Sequence, residues 1–475
     1  MEHTTASDAL PALLQHFLAL LQDQRPAFRQ HRSYQRMCIL VVGVLCSLAR
    51  HTLTQALLAG GGADVEWSPF YRLFSRERIR MDRLQQRLIH QTFEHVVPTV
   101  PYLLAVDGVF FPRSSRHMPG VGWRKAPNTA PWRPGLALGQ RFGALHWLPP
   151  LTHGYTRALP LVSYPIFTPK ARPARVAPQK EWEGAYSALT TLRHELDRAG
   201  RSQQQVVLLA DGSYDVADFW KQLPHHTALL ARTARNRALY ELPVPTSTQR
   251  GRPRKYGPPA PRPAEWLQRR SGWQTTTKEV RGHARRMRYR VEGPFLRSEV
   301  ATQPVFLVVM GGQSYRRGQQ RKHREPVPVL VSAVKAADGG WRLPVPLDDL
   351  LVWLWQRWEV EVAHRELKSG FGVGEMQCWH PVSTVATIQW GIWLYAVCLL
   401  AAYRTWGICG GPRPLGRWRR TVDRWSFTSL WRSLRMAGSA APDLMGGWHG
   451  IPDNWTKKAL WSAALSRTSQ TTARL

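Results

Sequence analysis

Acidic side chains are scarce in this chain. Thirty-two Asp and Glu stand against 65 Lys and Arg over 475 residues, for a net charge of +33. Arginine bias from a GC-rich genome raises Arg over Lys but does not remove acids. The deficit therefore points to a polyanionic partner, whose phosphates Lys and Arg neutralise with release of condensed counterions. Cysteine is scarce too. Cys38, Cys46, Cys378, Cys398 and Cys409 are odd in number and contain no CxxC pair. That excludes a disulfide framework and a zinc ribbon, and it fits a reducing cytosol. The first residues, MEHTTASDAL, lack a basic segment followed by an apolar core, so no signal peptide is expected. Long apolar runs are few. Cys38–Ala49 is too short to span a bilayer. Ser383–Tyr403 is long enough, but it carries Gln389 and Gly391 within a strongly basic chain. It is expected to be a buried core helix, with no membrane partner. No internal repeat is present.

Hydrophobic residues make up 43% of the chain, with 22 Trp, enough for sizeable cores. Residues 1–97 read as a helical N-terminal domain, through Leu10–Leu21, Cys38–Ala49, Ser68–Phe74 and Met81–Phe93. DNA end binding and simple packing are both open for it. From Tyr102 the pattern changes to strands: Tyr102–Phe111, Phe142–Leu148 and Leu159–Phe167. A helix over Trp182–Arg198, a buried strand Gln205–Ala210, a short helix Val216–Gln222 and a strand Thr227–Ala231 follow. This β-β-β-α-β-α-β order is the plan of a ribonuclease-H-like α/β domain. Residues 98–231 form its first part and 336–409 its completion. Between them, residues 232–335 form a mainly β insertion. Residues 232–325 alone hold 22 Lys and Arg against six acids, a net of +16. Strands are expected over Trp273–Val280, Met287–Val291, Val305–Met310 and Val327–Val334, with a charge-dense loop at Arg316, Arg317, Arg321, Lys322 and Arg324. Leu347–Gly370 is expected as one long helix, and 410–475 as a basic tail with short helices such as Ser429–Ala437.

Three carboxylates fit this plan. Asp107 ends an apolar strand that Asp107-Gly108 breaks, and Asp211 follows QVVLLA. Glu361 sits inside the long helix, with Arg357 four residues before it and Lys368 seven after. Those steps keep the three on one helix face. Asp107, Asp211 and Glu361 can hold two divalent ions, Mg²⁺ or Mn²⁺, which would activate an attacking oxygen and stabilise a leaving one. Arg357 and Lys368 supply cations for phosphate. Glu359 and Glu366 are rivals to Glu361 but lack its spacings.

The segment Arg357–Trp379 (RWEVEVAHRELKSGFGVGEMQCW) resembles the glutamate region of bacterial insertion-sequence transposases with a Tyr-x2-Arg-x3-Glu-x6-Lys signature. Ala105–Trp123 resembles the first-aspartate region of the related DDE-superfamily endonucleases. Leu208–Asp215 resembles their second-aspartate region, including Tyr214 three residues on. The likeness runs in order over about Ser68–Trp379, and the basic insertion fits it. One departure is Leu354, where the signature has Tyr. The resemblance implies a transposase that cuts at terminal inverted repeats and joins the ends to target DNA. It implies a homodimer on double-stranded DNA in the cytoplasm, with Tyr214 among the DNA contacts. The alternative is a catalytically silent DNA-binding protein derived from a transposase.

Further DNA contacts are expected outside the catalytic segments. Gly251-Arg252-Pro253, followed by Arg254, resembles an AT-hook core, although a basic linker would look the same. Arg286, Arg288 and Arg290 alternate along a strand and would line one sheet face. Trp266 and Trp273 are open to two roles: stacking an unpaired base or packing in a core. His364 could orient a phosphate or make a structural hydrogen bond.

Overall fold

The computed structural model describes residues 6–126, 135–173, 176–244, 254–317, 320–412, 424–440 and 448. Helices α1 (Ala6–Asp23), α2 (His31–Cys46), α3 (Leu53–Ala59), α4 (Ser68–Ser75) and α5 (Met81–His90) open the chain. Strands β1 (Tyr102–Pro112), β2 (Gly122–Lys125), β3 (Leu136–Trp147) and β4 (Leu159–Ile166) follow. Next come α6 (Glu181–Arg198), β5 (Val206–Ala210), α7 (Ala217–Lys221) and β6 (Thr227–Arg232). The middle of the chain holds β7 (Leu239–Tyr240), β8 (Pro259–Ala260), α8 (Pro263–Gln268), β9 (Gln274–Val280), β10 (His283–Arg297), β11 (Val300–Met310), β12 (Gln313–Arg317), β13 (Gln320–Arg324) and β14 (Val327–Ser332). Helices α9 (Leu347–Gln356), α10 (Trp358–Arg365), α11 (Ser383–Trp406) and α12 (Phe427–Ala440) complete it.

The protein is mixed α/β, built on one large sheet. Twelve strands run in the order β2-β3-β1-β5-β6-β14-β11-β10-β7-β8, with β4 also on β3 and β9 also on β10. β3 is antiparallel to β1 and to β4, whereas β1, β5 and β6 are mutually parallel neighbours. β5 reads VVLLA without alternation because helices and loops cover both its faces, and every residue in it is buried. The 232–335 segment does not stand apart. β14 pairs with the outer edge of β6, and β11 and β10 follow, so the basic segment lengthens the same sheet. The physical reason is the edge of β6, whose unpaired amides and carbonyls would otherwise be open. The charge-dense segment expected as a loop is a paired hairpin, β12–β13.

The apolar helix α11 is the axis of the helical layer. It is long and apolar enough to cross a membrane, yet it is largely buried inside the protein. A helix that is apolar all round needs cover on every side. Here α1, α4, α5, β4 and α12 supply it. The N-terminal helices and α12 of the expected tail thus share one core with the sheet. α12 contributes Phe427, Trp431 and Leu434 to that core. Its Arg435, also buried, donates to the Leu45 and Ser47 carbonyls at the end of α2.

A buried ionic knot ties the extension of the sheet to the loop after β5. The Asp215 carboxylate accepts from Arg297 Nε of β10 at 2.9 Å and from Arg237 Nε at 2.9 Å. Thr233 Oγ1 and Trp220 Nε1 donate to it as well, at 2.7 and 3.0 Å. Removing one partner from such a group leaves uncompensated charge in the interior. Asp215→Ala is expected to lower stability by about 3–5 kcal/mol, because Arg297 stays buried without its counter-ion. Urea unfolding of the full chain reads this against Asp211→Asn, four residues away, which is expected to lose none.

Candidate active site

The parallel register of β1 and β5 pairs Val106 with Ala210. One residue further along each strand, Asp107 and Asp211 stand side by side on the sheet. Strand β1 does not end at Asp107. It continues to Pro112, and Gly108 pairs with Gly143 of β3. The expected break at Asp107-Gly108 is therefore absent. Gly108 serves close packing instead: a Cβ there would lie 2.4 Å from Glu181 Oε1 and 2.8 Å from Arg141 Nε. Its own N–H donates to Asp107 Oδ1 at 2.7 Å. Asp211 caps the turn after β5, with Oδ1 accepting from Ser213 N–H at 2.8 Å and from Ser213 Oγ at 2.7 Å.

The Glu-bearing segment is not one uniform helix. α9 ends at Gln356, Arg357 forms a one-residue break, α10 follows, and a π-helical turn closes it over Glu366–Gly370. Arg357 keeps helical backbone angles, φ −51° and ψ −31°, and its side chain reaches the sheet. Its guanidinium lies 3.5 Å from Asp107 Oδ2 and 3.1 Å from Glu361 Oε1, linking the two acids. The π turn widens the last turn by a residue, so the seven-residue step from Glu361 no longer holds a common face. Lys368 stands exposed. Its charge helps hold His364 neutral, after burial and the neighbouring His146. His364 itself is buried against His146, ring centres 5.4 Å apart, and cannot meet a phosphate.

The rival glutamates are occupied. Glu359 is buried and clamped by Arg281 and Arg424, each at 2.8 Å. Glu366 takes Arg157 at 3.3 Å and the Tyr395 hydroxyl at 2.7 Å. Glu361 is the half-exposed glutamate of the three, and the one tied through Arg357 to Asp107.

A fourth acid, Glu181, stands beside Asp107 and was not singled out from the sequence. It is the first residue of α6 and pairs with Arg141 at 2.7 Å. Tyr214 donates to it at 3.1 Å, and the Tyr164 hydroxyl is 3.5 Å from that of Tyr214. Tyr214 is thus fully buried and turned to Glu181, which corrects its assignment as a DNA contact. The available signal was weak: a carboxylate at a helix start usually answers the helix dipole.

Burial pushes the Asp107 carboxyl up to about 6, and the negative charge of Asp211 adds to this. Arg357 and the Gly108 N–H pull the other way without cancelling it, and Glu181 raises it further. Carboxylate oxygens of this kind suit a hard divalent ion, which would relieve the repulsion between the aspartates. The donor chemistry fits. As placed, no three Asp, Glu, His or Cys groups among the described residues gather closely enough to hold an ion. Arg357 fills the gap between Asp107 and Glu361. A cavity of about 260 Å³ opens beside the site, lined by Arg232, Arg281, Arg285, Leu354, Trp355 and Arg357 among others.

The other expected DNA contacts divide. Arg254, Arg286 and Arg288 are exposed. Arg252 and the rest of the AT-hook-like core lie outside the described residues. Arg290 is buried, paired with Glu292 at 2.5 Å and close to the Trp266 and Trp273 rings. Strand alternation put Arg290 on the face of Arg286 and Arg288, but α8 and its Trp266 cover that end. Trp266 is a core residue, and Trp273 is half-buried under arginines.

The raised Asp107 has a measurable consequence. Its folded-state pKa lies above the unfolded value, so its ionisation opposes folding. The cost is absent below pH 4, grows as pH rises through about 4 to 6, and is full above that. A shift of roughly two pKa units corresponds to about 3 kcal/mol at most. Asp107→Asn is therefore expected to be more stable than wild type at pH 7–8, with the gain vanishing below pH 4. Thermal unfolding across that range checks it.

A family model described as DDE superfamily endonuclease matches residues 17–294, which takes in Asp107 and Asp211 and ends before Glu361. No curated protein matches the chain.

Proposed function

Since the chain belongs to the DDE superfamily endonucleases, we propose that it is a DNA transposase with a ribonuclease-H-like core. Asp107, Asp211 and Glu361 are its catalytic carboxylates. It acts in the cytoplasm on element ends and on target DNA, as a homodimer that pairs two ends. What supports this reading is that Asp107 and Asp211 each follow the paired Val106 and Ala210 of β1 and β5, and that the Arg357 guanidinium links Asp107 to Glu361.

The three carboxylates would hold Mg²⁺ or Mn²⁺, which supplies activation of the attacking oxygen and stabilisation of the leaving one. The chain's own residues do the rest. Arg357 now compensates Asp107 and Glu361. A DNA phosphate would draw its guanidinium away and free Glu361 Oε1 as a ligand. Lys368, exposed within the π turn, adds a second cation for the backbone. In cleavage, one P–O bond forms to water as the bond to the 3′ oxygen breaks. In joining, the freed 3′-hydroxyl replaces water and loses its proton as one phosphodiester bond exchanges for another. No external energy source is needed, so positioning accounts for most of the rate.

A second reading keeps the DNA binding and drops the chemistry. The guanidinium bridge between Asp107 and Glu361 is what a silent derivative would retain. Excision and joining of a marker placed between the gene's native flanks separates the two. Wild type is expected to move the marker. Asp107→Asn, Asp211→Asn and Glu361→Gln are expected to bind the flanks and fail, with losses on the order of 10³-fold or more. Full activity in any one variant removes that residue from the site. Binding without movement in all four, wild type included, supports the silent derivative.

A further inference from the structure

Hairpin β9–β10 presents one face to solvent that the catalytic reading does not use. Antiparallel pairing sets Arg286 opposite Thr277 and Arg288 opposite Thr275, so these four share a face. All four are exposed. The opposite face is taken by α9: Lys278 pairs with Asp348 at 2.6 Å, and Arg285 lies over the Trp355 ring at 5.3 Å. Beside the open face, the loop 269–273 adds exposed Arg269 and Arg270.

These arginines are held in place. Arg269 stacks on Trp266 at 3.9 Å, and Arg288 stacks on Trp273 at 4.5 Å. Buried Arg290 lies between the two rings, 4.8 Å from Trp266 and 5.6 Å from Trp273. The result is a run of Arg269, Trp266, Arg290, Trp273 and Arg288 in which each indole is flanked by two guanidinium groups. Trp273 Nε1 also donates to the Arg269 carbonyl at 2.8 Å, which fixes the loop. Among the described residues, Arg290 is the one of these three arginines paired with an acid, Glu292. Arg269 and Arg288 keep their donors toward solvent, on side chains whose rotamer freedom the stacking has already reduced.

The hairpin tip cannot enter a groove. Arg281 and Gly282 both have positive φ, 55° and 70°, as a two-residue primed turn requires. Their N–H groups donate to the Gly154 and His153 carbonyls, each at 2.9 Å, and Arg281 pairs with Glu359 of α10. A two-stranded ribbon reads bases by lying in the major groove. With its tip docked on the core and one face on α9, this ribbon is left with a flat cationic and hydroxyl face.

We infer that the open face of β9–β10, with Arg269, Arg270 and Arg288 as its cations, is a docking surface for the phosphate backbone of duplex DNA, independent of base sequence. The inference rests on the reading of the protein as DNA-acting. Through Arg281 and Glu359 the same hairpin is tied to the helix that carries Glu361, so the surface sets where a duplex lies relative to the acids.

The test is fluorescence anisotropy of the full chain on two duplexes of unrelated sequence and on the corresponding single strands, across a salt series. The triple variant Arg269→Gln, Arg270→Gln, Arg288→Gln is expected to lose affinity for both duplexes by the same factor. Its slope of log affinity against log salt is expected to fall by about 2 to 3, near 0.9 per lost phosphate contact. Trp273→Leu, which removes a stacking platform but no charge, is expected to weaken binding about two- to fivefold and to leave the slope unchanged. Wild-type affinity and slope in the triple variant overturn the inference while leaving the proposed function standing. Loss on one duplex sequence only, or on single strands only, overturns it as well. Failure of wild type to bind any duplex overturns both.

Discussion

Two carboxylates that repel each other are fixed side by side by the sheet. The parallel ladder between β1 and β5 brings Val106 level with Ala210, and the next residues are Asp107 and Asp211. Both strands are buried along their paired length, and five consecutive residue pairs hold the register. The strain shows in the Asp107 carboxyl, raised mainly by burial and then by Asp211. One guanidinium, Arg357, offsets part of it and in doing so brings Glu361 into the same constellation. The rest of the molecule holds this arrangement in place.

That support is largely ionic, as suits a chain so rich in arginine. Asp215 locks the loop after Asp211 to β10 through Arg297 and to the segment after β6 through Arg237. Glu359 holds α10 between the β9–β10 tip and Arg424. Glu366 anchors the π turn to Arg157 and to Tyr395 of α11. Buried pairs of this kind add little net stability, because desolvation offsets their attraction, but breaking one is costly. They specify which arrangement is adopted. Asp215, Glu359 and Glu366 are thus taken up by structural clamps, whereas Asp211 and Glu361 remain half-exposed.

The sheet was legible in the sequence because its strands are short, apolar and punctuated, and their order along the chain is distinctive. Asp107 and Asp211 stood out as acids attached to such strands. The features that were missed depend on partners distant in sequence. Gly108 looks like a turn residue until Glu181 and Arg141 are seen packed against it. Tyr214 and Arg290 have the composition of DNA contacts, yet Glu181 and Glu292 turn them inward. The edge of β6 gave no sign that β14 would extend it. Spacing along an ideal helix placed Arg357, Glu361 and Lys368 together, but it could not foresee the break at Arg357 or the π turn at Glu366.

Direct Mn²⁺ binding tests the proposal that Asp107, Asp211 and Glu361 act together as a cation site. Titration calorimetry of the full chain bound to duplex DNA, at pH 7.5, measures the site without relying on turnover. Mn²⁺ binding is expected in wild type, its loss in Asp107→Asn, weakening in Asp211→Asn and Glu361→Gln, and retention where Lys368→Gln leaves the carboxylates intact. Equal Mn²⁺ affinity in wild type and Asp107→Asn would contradict it.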